Sequence, residues 1–357
     1  MFFKLFWLAS SIFLISLISI FGIIFFDLLG TDFKKEENAI YYSAKNIKKA
    51  KFNLKLKVMT WNIKFGAARE DMFFDCHGNK EIIPEKEVIK NLDNIIKKIN
   101  EISPDILFLQ EVDINSHRSG YVNQAKYILD NTDLNYGYYA SQWKALFIPS
   151  HNIGKINSGN LILSKFKLYN GKRYALPKIA SQNLIVQYFY LKRNFLVSEL
   201  RLKDKKITLI NTHLSAYAND ETKERQVNAL NNFINGLSQD KKRFILAGDF
   251  NTLPPGTIKV KNFPDNACKE NFNANDFSNE TELLSPIYNG FNSAIPLRDY
   301  QKNNTPYFTH STDKKIFWNR KLDYIFSNMN MEKGKVLQKG TMPLSDHAPL
   351  TVEISLD

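Results

Sequence analysis

Apolar residues recur along this chain with two different patterns. In residues 85–102 they return every three or four positions, which predicts an amphipathic helix, and residues 121–130 and 220–237 repeat that spacing. Short apolar runs predict buried strands. These runs are 54–61, 105–110, 159–164, 184–190, 195–202, 206–212, 244–247, 321–326, 335–339 and 350–356. The pattern predicts an α/β fold with many strands.

The run 244–247 leads through Gly248 to two polar residues, Asp249 and Asn251. They alternate with Phe250, so extended geometry would direct both side chains to one side. An Asx-type turn after a strand would contain the same residues and is the plain alternative.

Other predicted strands end in the same way. Asn62, Glu111 and His213 each follow an apolar run, and the pair Asp346-His347 precedes the last one. Polar groups on loops above a rigid strand can be held in fixed positions. Carboxylates, amides and imidazoles gathered at strand ends are the components of a metal-assisted hydrolase.

The N-terminus carries a separate signal. Residues 5–26 are apolar or small and uncharged, and Lys4 precedes them. This length fits a membrane-spanning helix. We expect an uncleaved signal anchor over residues 1–31, with a cleaved signal peptide as the alternative, a polar tether over 32–53 and a catalytic domain over 54–357. The slight charge bias favours a cytoplasmic N-terminus and an extracytoplasmic domain.

Composition narrows the partners only a little. The net charge of +12 suits a polyanion such as nucleic acid or anionic lipid, although lysines scattered through the chain would give the same excess as background. Cys76 and Cys268 lie far apart without metal-ligand spacing, which argues against a zinc or thiol site. They could pair if the domain lies outside the cytoplasm.

Seven stretches of the chain carry a family resemblance. In order they are TWNIKFG, DILFLQEVD, SGNLILSKF, NTHLSAY, LAGDFNT, LDYIFSN and SDHAPL. The chain resembles the endonuclease/exonuclease/phosphatase superfamily, the DNase-I-like metal-dependent phosphodiesterases. The resemblance implies a four-layered α/β sandwich, with two mixed β-sheets packed face to face and flanked by helices.

The resemblance also implies a cation and its ligands. Glu111 matches the family's metal glutamate, Asn62 matches the asparagine beside it, and Asp346 matches a further carboxylate on the metal side. The implied cofactor is Mg²⁺, for which Mn²⁺ is a possible substitute. Oxygen ligands of this kind suit a hard divalent cation.

The remaining matches imply the chemistry. His347 is the expected general base, and Asp323 matches the carboxylate that fixes its tautomer. Asp249 would orient the nucleophile or share its activation, and Asn251 would donate to a phosphoryl oxygen. His213 would bind phosphate and could protonate the leaving oxygen.

Several polar residues fall outside the motifs. We interpret four histidines as surface or loop residues, and two basic residues could face a phosphate. They are His77, His117, His151 and His310, and Arg118 and Lys144.

The substrate stays open. Nucleic acid fits the positive charge, whereas a phospholipid head group, as in a sphingomyelinase-like enzyme, fits the anchor and the many aromatics; an inositol phosphate is a further alternative. A non-catalytic binding module would have lost some of the polar strand ends, and all are present. No protein partner is predicted.

Overall fold

In the part of the chain that the structure describes, fourteen strands form two β-sheets. The computed structural model describes residues 2–31, 33–75, 78–148, 150–216, 220–263, 276–312 and 317–356. The strands are β1 (Glu36–Asn38), β2 (Ile40–Ser43), β3 (Lys55–Asn62), β4 (Ile106–Asp113), β5 (Tyr136–Ile148), β6 (Gly154–Ser164), β7 (Leu168–Ala175), β8 (Asn194–Leu202), β9 (Lys205–His213), β10 (Arg243–Asp249), β11 (Asn292–Ser293), β12 (Asp323–Ser327), β13 (Met331–Val336) and β14 (Leu350–Ser355).

Each sheet has seven strands and mixed directions. The first, called here the Glu111 sheet, has the order β13-β14-β3-β4-β6-β5-β2. The second, the Asp249 sheet, has the order β1-β7-β8-β9-β10-β12-β11. Phe108 of one and Ile245 of the other belong to the same buried core, so the sheets pack face to face.

Seven helices precede or connect these strands in the described residues. They are α1 (Phe2–Thr31), α2 (Glu85–Ile102), α3 (Gln124–Asp130), α4 (Leu184–Phe189), α5 (Thr222–Gln239), α6 (Ser285–Gly290) and α7 (Leu297–Lys302). Leu92 of α2 and Ile128 of α3 pack on the Glu111 sheet, and Leu230 of α5 packs on the Asp249 sheet. The expected four-layered α/β sandwich is confirmed.

Parallel pairing places strand ends together. In the Glu111 sheet β3 runs parallel to β4, with Asn62 opposite Gln110. In the Asp249 sheet β9 runs parallel to β10, with His213 opposite Asp249. Parallel strands that lie side by side end at the same edge of the sheet. The polar residues at their carboxyl ends are therefore close in space although they are distant in sequence.

One predicted strand is wrong. Residues 184–190 contain the short helix α4 instead. Asn183 caps it, because its side-chain oxygen accepts a hydrogen bond from the Val186 N–H at 3.0 Å. An N-cap of this kind satisfies a donor that a strand would have paired with a neighbour.

Three other segments differ from the prediction in detail. The segment 32–53, expected as a tether, contributes β1 and β2. β1 pairs with β7 in the Asp249 sheet, and β2 pairs with β5 in the Glu111 sheet. The strand expected at 335–339 lies earlier, as β13. The aromatic-rich segment after residue 131 forms β5, a long strand that the spacing did not indicate.

Helix α1 is long and apolar. Residues Phe3–Phe25 have a mean hydropathy of 2.5, and none of this stretch is buried. Its length and composition suffice to cross a membrane, and a signal sequence would have the same properties.

Candidate active site

A histidine–carboxylate pair lies where the polar ends of the two sheets meet. The cluster of polar side chains around it, which includes Asn62, Glu111, His213 and Asp249, is called here the pocket. His347 Nδ1 is 2.8 Å from Asp323 Oδ2, and both side chains are buried. Burial alone would lower the pKa of His347, but the Asp323 and Asp249 carboxylates outweigh it and raise that pKa to about 10. The carboxylate fixes the imidazole ring and leaves Nε2 facing the pocket.

Asp249 is the residue on which the other groups converge. Its Oδ2 lies 3.6 Å from His347 Nε2 and 3.4 Å from His213 Nε2. The amide of Asn62 donates to the same oxygen at 3.0 Å. Burial raises the pKa of Asp249 to about 7, against the opposing charge of His347 and with support from Asp323. These acids and bases are close enough to titrate as a coupled group.

Glu111 enters the pocket through an irregularity of β4. Its φ is 55°, in the left-handed region, and the register with β6 shifts between Leu109 and Val112. Such a bulge re-aims a side chain at the end of a strand. Asn62 Nδ2 donates to Glu111 Oε1 at 3.0 Å, while burial and the nearby Asp346 raise the pKa of Glu111.

Asp346 faces a buried lysine. Lys64 Nζ lies 3.5 Å from Asp346 Oδ2, and Ser345 Oγ donates to Asp346 Oδ1 at 3.2 Å. Burial would raise the pKa of Asp346, but the charges of Lys64 and His347 outweigh it and lower that pKa. Ser345 Oγ also contacts the Asn62 carbonyl at 2.8 Å, which attaches this loop to β3.

Asn251 has its backbone in the left-handed region, with φ 49°. Its N–H donates to Asp249 Oδ1 at 3.0 Å, and its side-chain Nδ2 donates to the Leu214 carbonyl at 3.1 Å. Lys223 from α5 donates to the Asn251 carbonyl at 2.7 Å. The loop therefore forms the Asx-type turn that the sequence offered as an alternative, and it also lies beside the pocket.

His213 is a neutral imidazole in this setting. Burial, followed by the charges of Arg193 and His347, lowers its pKa well below the ordinary value. Its Nδ1 is buried without a hydrogen-bond partner among the described residues. A neutral His213 acts as a hydrogen-bond donor at neutral pH rather than as a charged acid.

Sequence reasoning missed several groups that line this region. His310, expected on the surface or in a loop, is buried and its ring centroid lies 4.3 Å from that of His347, so that expectation is wrong. Lys64 and Lys223 were not singled out, since isolated lysines carry no spacing signal. Arg118 does not face the pocket freely, because its guanidinium makes two 2.9 Å bonds to Asp113.

Other expectations fall elsewhere. His117 and His151 lie near the turn between β5 and β6, where His151 stacks on Phe73. Lys144 is exposed on β5. Three residues, Cys76, His77 and Cys268, lie outside the described residues.

Two neighbouring groups could hold a cation. Asp249, Asp323 and His347 offer ligand atoms within 4.8 Å of one another. Beside them, the charge of Asp346 raises the pKa of the partly buried Glu111, and a divalent ion bound there would relieve this repulsion. Because His347 Nδ1 is already engaged by Asp323, the oxygen-rich group around Glu111 fits a hard cation better.

Comparison with known proteins identifies the family and the fold. A family model described as "Endonuclease/Exonuclease/phosphatase family" matches residues 59–347. The human Nocturnin catalytic domain, solved with a bound sulfate anion, is 20% identical with a TM-score of 0.56, covering 89% of this chain and 97% of that one. None of the curated proteins compared matches this sequence significantly.

Two bacterial structures have the same fold. The endonuclease/exonuclease/phosphatase from Beutenbergia cavernae DSM 12333 is 16% identical, with a TM-score of 0.55, and the match covers 85% of this chain and 72% of that one. The one from Bacteroides vulgatus is 13% identical, with a TM-score of 0.54, and covers 85% and 99%. The family model spans well over half of the sequence, and the fold agrees with it. The chain belongs to the endonuclease/exonuclease/phosphatase family of metal-dependent phosphoric ester hydrolases.

Proposed function

We propose that this protein hydrolyses a phosphodiester with the help of Mg²⁺, using water as the nucleophile. The observation that carries the proposal is the buried His347–Asp323 pair, whose free Nε2 faces Asp249 at 3.6 Å. A base held in this way is suited to take a proton from an attacking water.

The proposed steps use the residues in sequence. His347 Nε2 accepts the water proton while the water oxygen bonds to phosphorus, and Asp249 orients that water. The bond from phosphorus to the leaving oxygen breaks. Asn251 and His213 donate hydrogen bonds to the phosphoryl and leaving oxygens, and a proton from solvent or from His347 neutralises the leaving group.

The proposed cation site consists of Glu111, Asp346 and Asn62. The two carboxylates would supply oxygen ligands. Asn62, whose amide nitrogen faces Glu111, would position that carboxylate. When bound, Mg²⁺ or Mn²⁺ would neutralise charge on the phosphoryl oxygens. The mutual repulsion of Glu111 and Asp346 supports this assignment.

We further propose that α1 anchors the protein in a membrane, with the catalytic domain on the extracytoplasmic side. The apolar stretch Phe3–Phe25 supports the anchor, and Lys4 supports the orientation. A nucleic acid or a phospholipid head group is the proposed substrate class. The net charge of +12 favours a polyanion, and the apolar helix favours a lipid surface.

A direct comparison of substrates tests the proposal. Purified full-length protein is assayed with Mg²⁺, and again with EDTA, on plasmid DNA, RNA, sphingomyelin and inositol phosphates. The His347→Ala variant serves as the inactive control, and His151→Ala, an exposed histidine, serves as the matched control. Metal-dependent turnover of one substrate that His347→Ala loses and His151→Ala keeps supports the proposal. If every substrate stays intact under all conditions, the result favours the alternative hypothesis of a non-catalytic binding module with this fold.

A further inference from the structure

Lys64 is a buried cation among the carboxylates of the proposed metal site. It follows β3 directly, in a 3₁₀ turn (Lys64–Gly66), with its own φ at 43° in the left-handed region. Only 4% of the residue is exposed. The turn directs its long side chain inward, toward Asp346, rather than into solvent.

Three oxygen groups hold the ammonium in place. Lys64 Nζ lies 2.7 Å from Asp75 Oδ2, 3.1 Å from the Glu70 carbonyl and 3.5 Å from Asp346 Oδ2. Burial alone would lower the pKa of Lys64, but Asp346 and Asp75 outweigh it and raise that pKa. A buried charge persists only when it is paired and hydrogen-bonded, as here.

The charges of this corner set a limit on how many ions it can hold. Asp75 and Asp346 already face the Lys64 ammonium, at 2.7 Å and 3.5 Å. His347 and Arg69 add further positive charge near Asp346. A first divalent ion beside Glu111 therefore enters a corner in which positive charge is already present. A second divalent ion would leave an uncompensated charge in a buried pocket, which is costly. The neighbouring pair of Asp249 and Asp323 already faces the imidazole of His347.

We propose that Lys64 acts as a built-in cation in the place of a second metal ion, so that the pocket binds one divalent cation. This inference rests on the proposed metal dependence. Lys64 already occupies Asp346 Oδ2, at 3.5 Å, and this oxygen is one that a second ion would need. Its role is to position charge, since it does not have to touch the substrate.

Counting bound Mn²⁺ tests the inference without reference to turnover. Full-length protein is titrated with Mn²⁺ and free ion is measured by electron paramagnetic resonance. Wild type should bind one equivalent. Lys64→Met should bind two, and adding Asp75→Asn, which removes the other carboxylate that Lys64 pairs with, should remove the second. Lys80→Met, which removes a more exposed lysine salt-bridged to Glu70, should still bind one.

Each possible result decides the matter. Two equivalents in wild type, or one in a folded Lys64→Met with unchanged affinity, overturn the inference while leaving a metal-dependent hydrolase intact. No Mn²⁺ binding in wild type overturns both the inference and the proposed function. If thermal melting shows that Lys64→Met does not fold, Lys64→Arg keeps the charge and must bind one equivalent. Two equivalents in that variant overturn the inference as well.

Discussion

The amide of Asn62 donates a 3.0 Å hydrogen bond to the carboxylate of Asp249, and this bond joins the two β-sheets across the pocket. The same nitrogen donates to Glu111. Replacing Asn62 by Ala leaves the buried Asp249 and the partly buried Glu111 without that donor. We expect a stability loss of about 1–3 kcal/mol and a fall in kcat of about 10²–10³-fold. Thermal melting and steady-state rates measure the two effects. A variant with wild-type kcat would show that this bond serves the fold alone.

The His347–Asp323 pair makes a prediction about pH. The pKa of His347 is raised to about 10, so the protonated imidazole persists well above its ordinary range and the neutral base becomes available as pH rises. The rate should therefore increase with pH across the neutral range. Asp323→Asn removes a carboxylate that raises this pKa, so the rising limb should move to lower pH while the maximum rate falls by about 10²–10⁴-fold. The profile of kcat/KM against pH checks both.

An unchanged position of the rising limb in Asp323→Asn would contradict this account of the base. His117→Ala is the control, because that ring lies on a different loop and bonds to the Asn152 carbonyl. Its profile should match wild type.

Glu111 makes a prediction about metal and stability together. Mg²⁺ should raise the melting temperature of wild type, since a ligand at about 100 times its Kd adds about 2.7 kcal/mol of stability. Glu111→Gln should lose this increase. Its metal-free form should be at least as stable as wild type, because the buried carboxylate is disfavoured by burial and by Asp346. Glu101→Gln, on the exposed side of α2, serves as the control. If Mg²⁺ raised the melting temperature of Glu111→Gln as much as that of wild type, the metal site would not include Glu111.

Lys223 holds the Asn251 loop from behind. Its Nζ donates to the Asn251 carbonyl at 2.7 Å and pairs with Glu280 at 2.6 Å. Lys223→Met leaves Glu280 unpaired, and we expect a cost of about 3–5 kcal/mol. Adding Glu280→Leu should recover the stability but not kcat, because Asn251 stays unsupported. Urea unfolding and steady-state kinetics separate the two. If the double variant recovered both stability and kcat, the Lys223–Glu280 pair would serve the fold alone.

The regular elements of the fold follow from local pattern. Apolar residues on one face predicted α2 with the bounds that the structure has, because that face packs on a sheet. The strand predicted at 184–190 was wrong because a short apolar run fits a strand and a helix equally well. Here the Asn183 cap favours the helix. β1 and β2 were missed because edge strands depend on partners far away in sequence. Pairing over such distances leaves no local periodicity.

The sequence by itself determined the main amphipathic helices and core strands, the polar residues at strand ends and the family that they indicate. Tertiary structure decided which charges share the pocket. Lys64, Lys223 and His310 lie there because packed sheets bring loops together that are distant along the chain. Only the folded molecule fixes their burial and distances, and those two quantities set the pKa of each group and the ions that the pocket can hold.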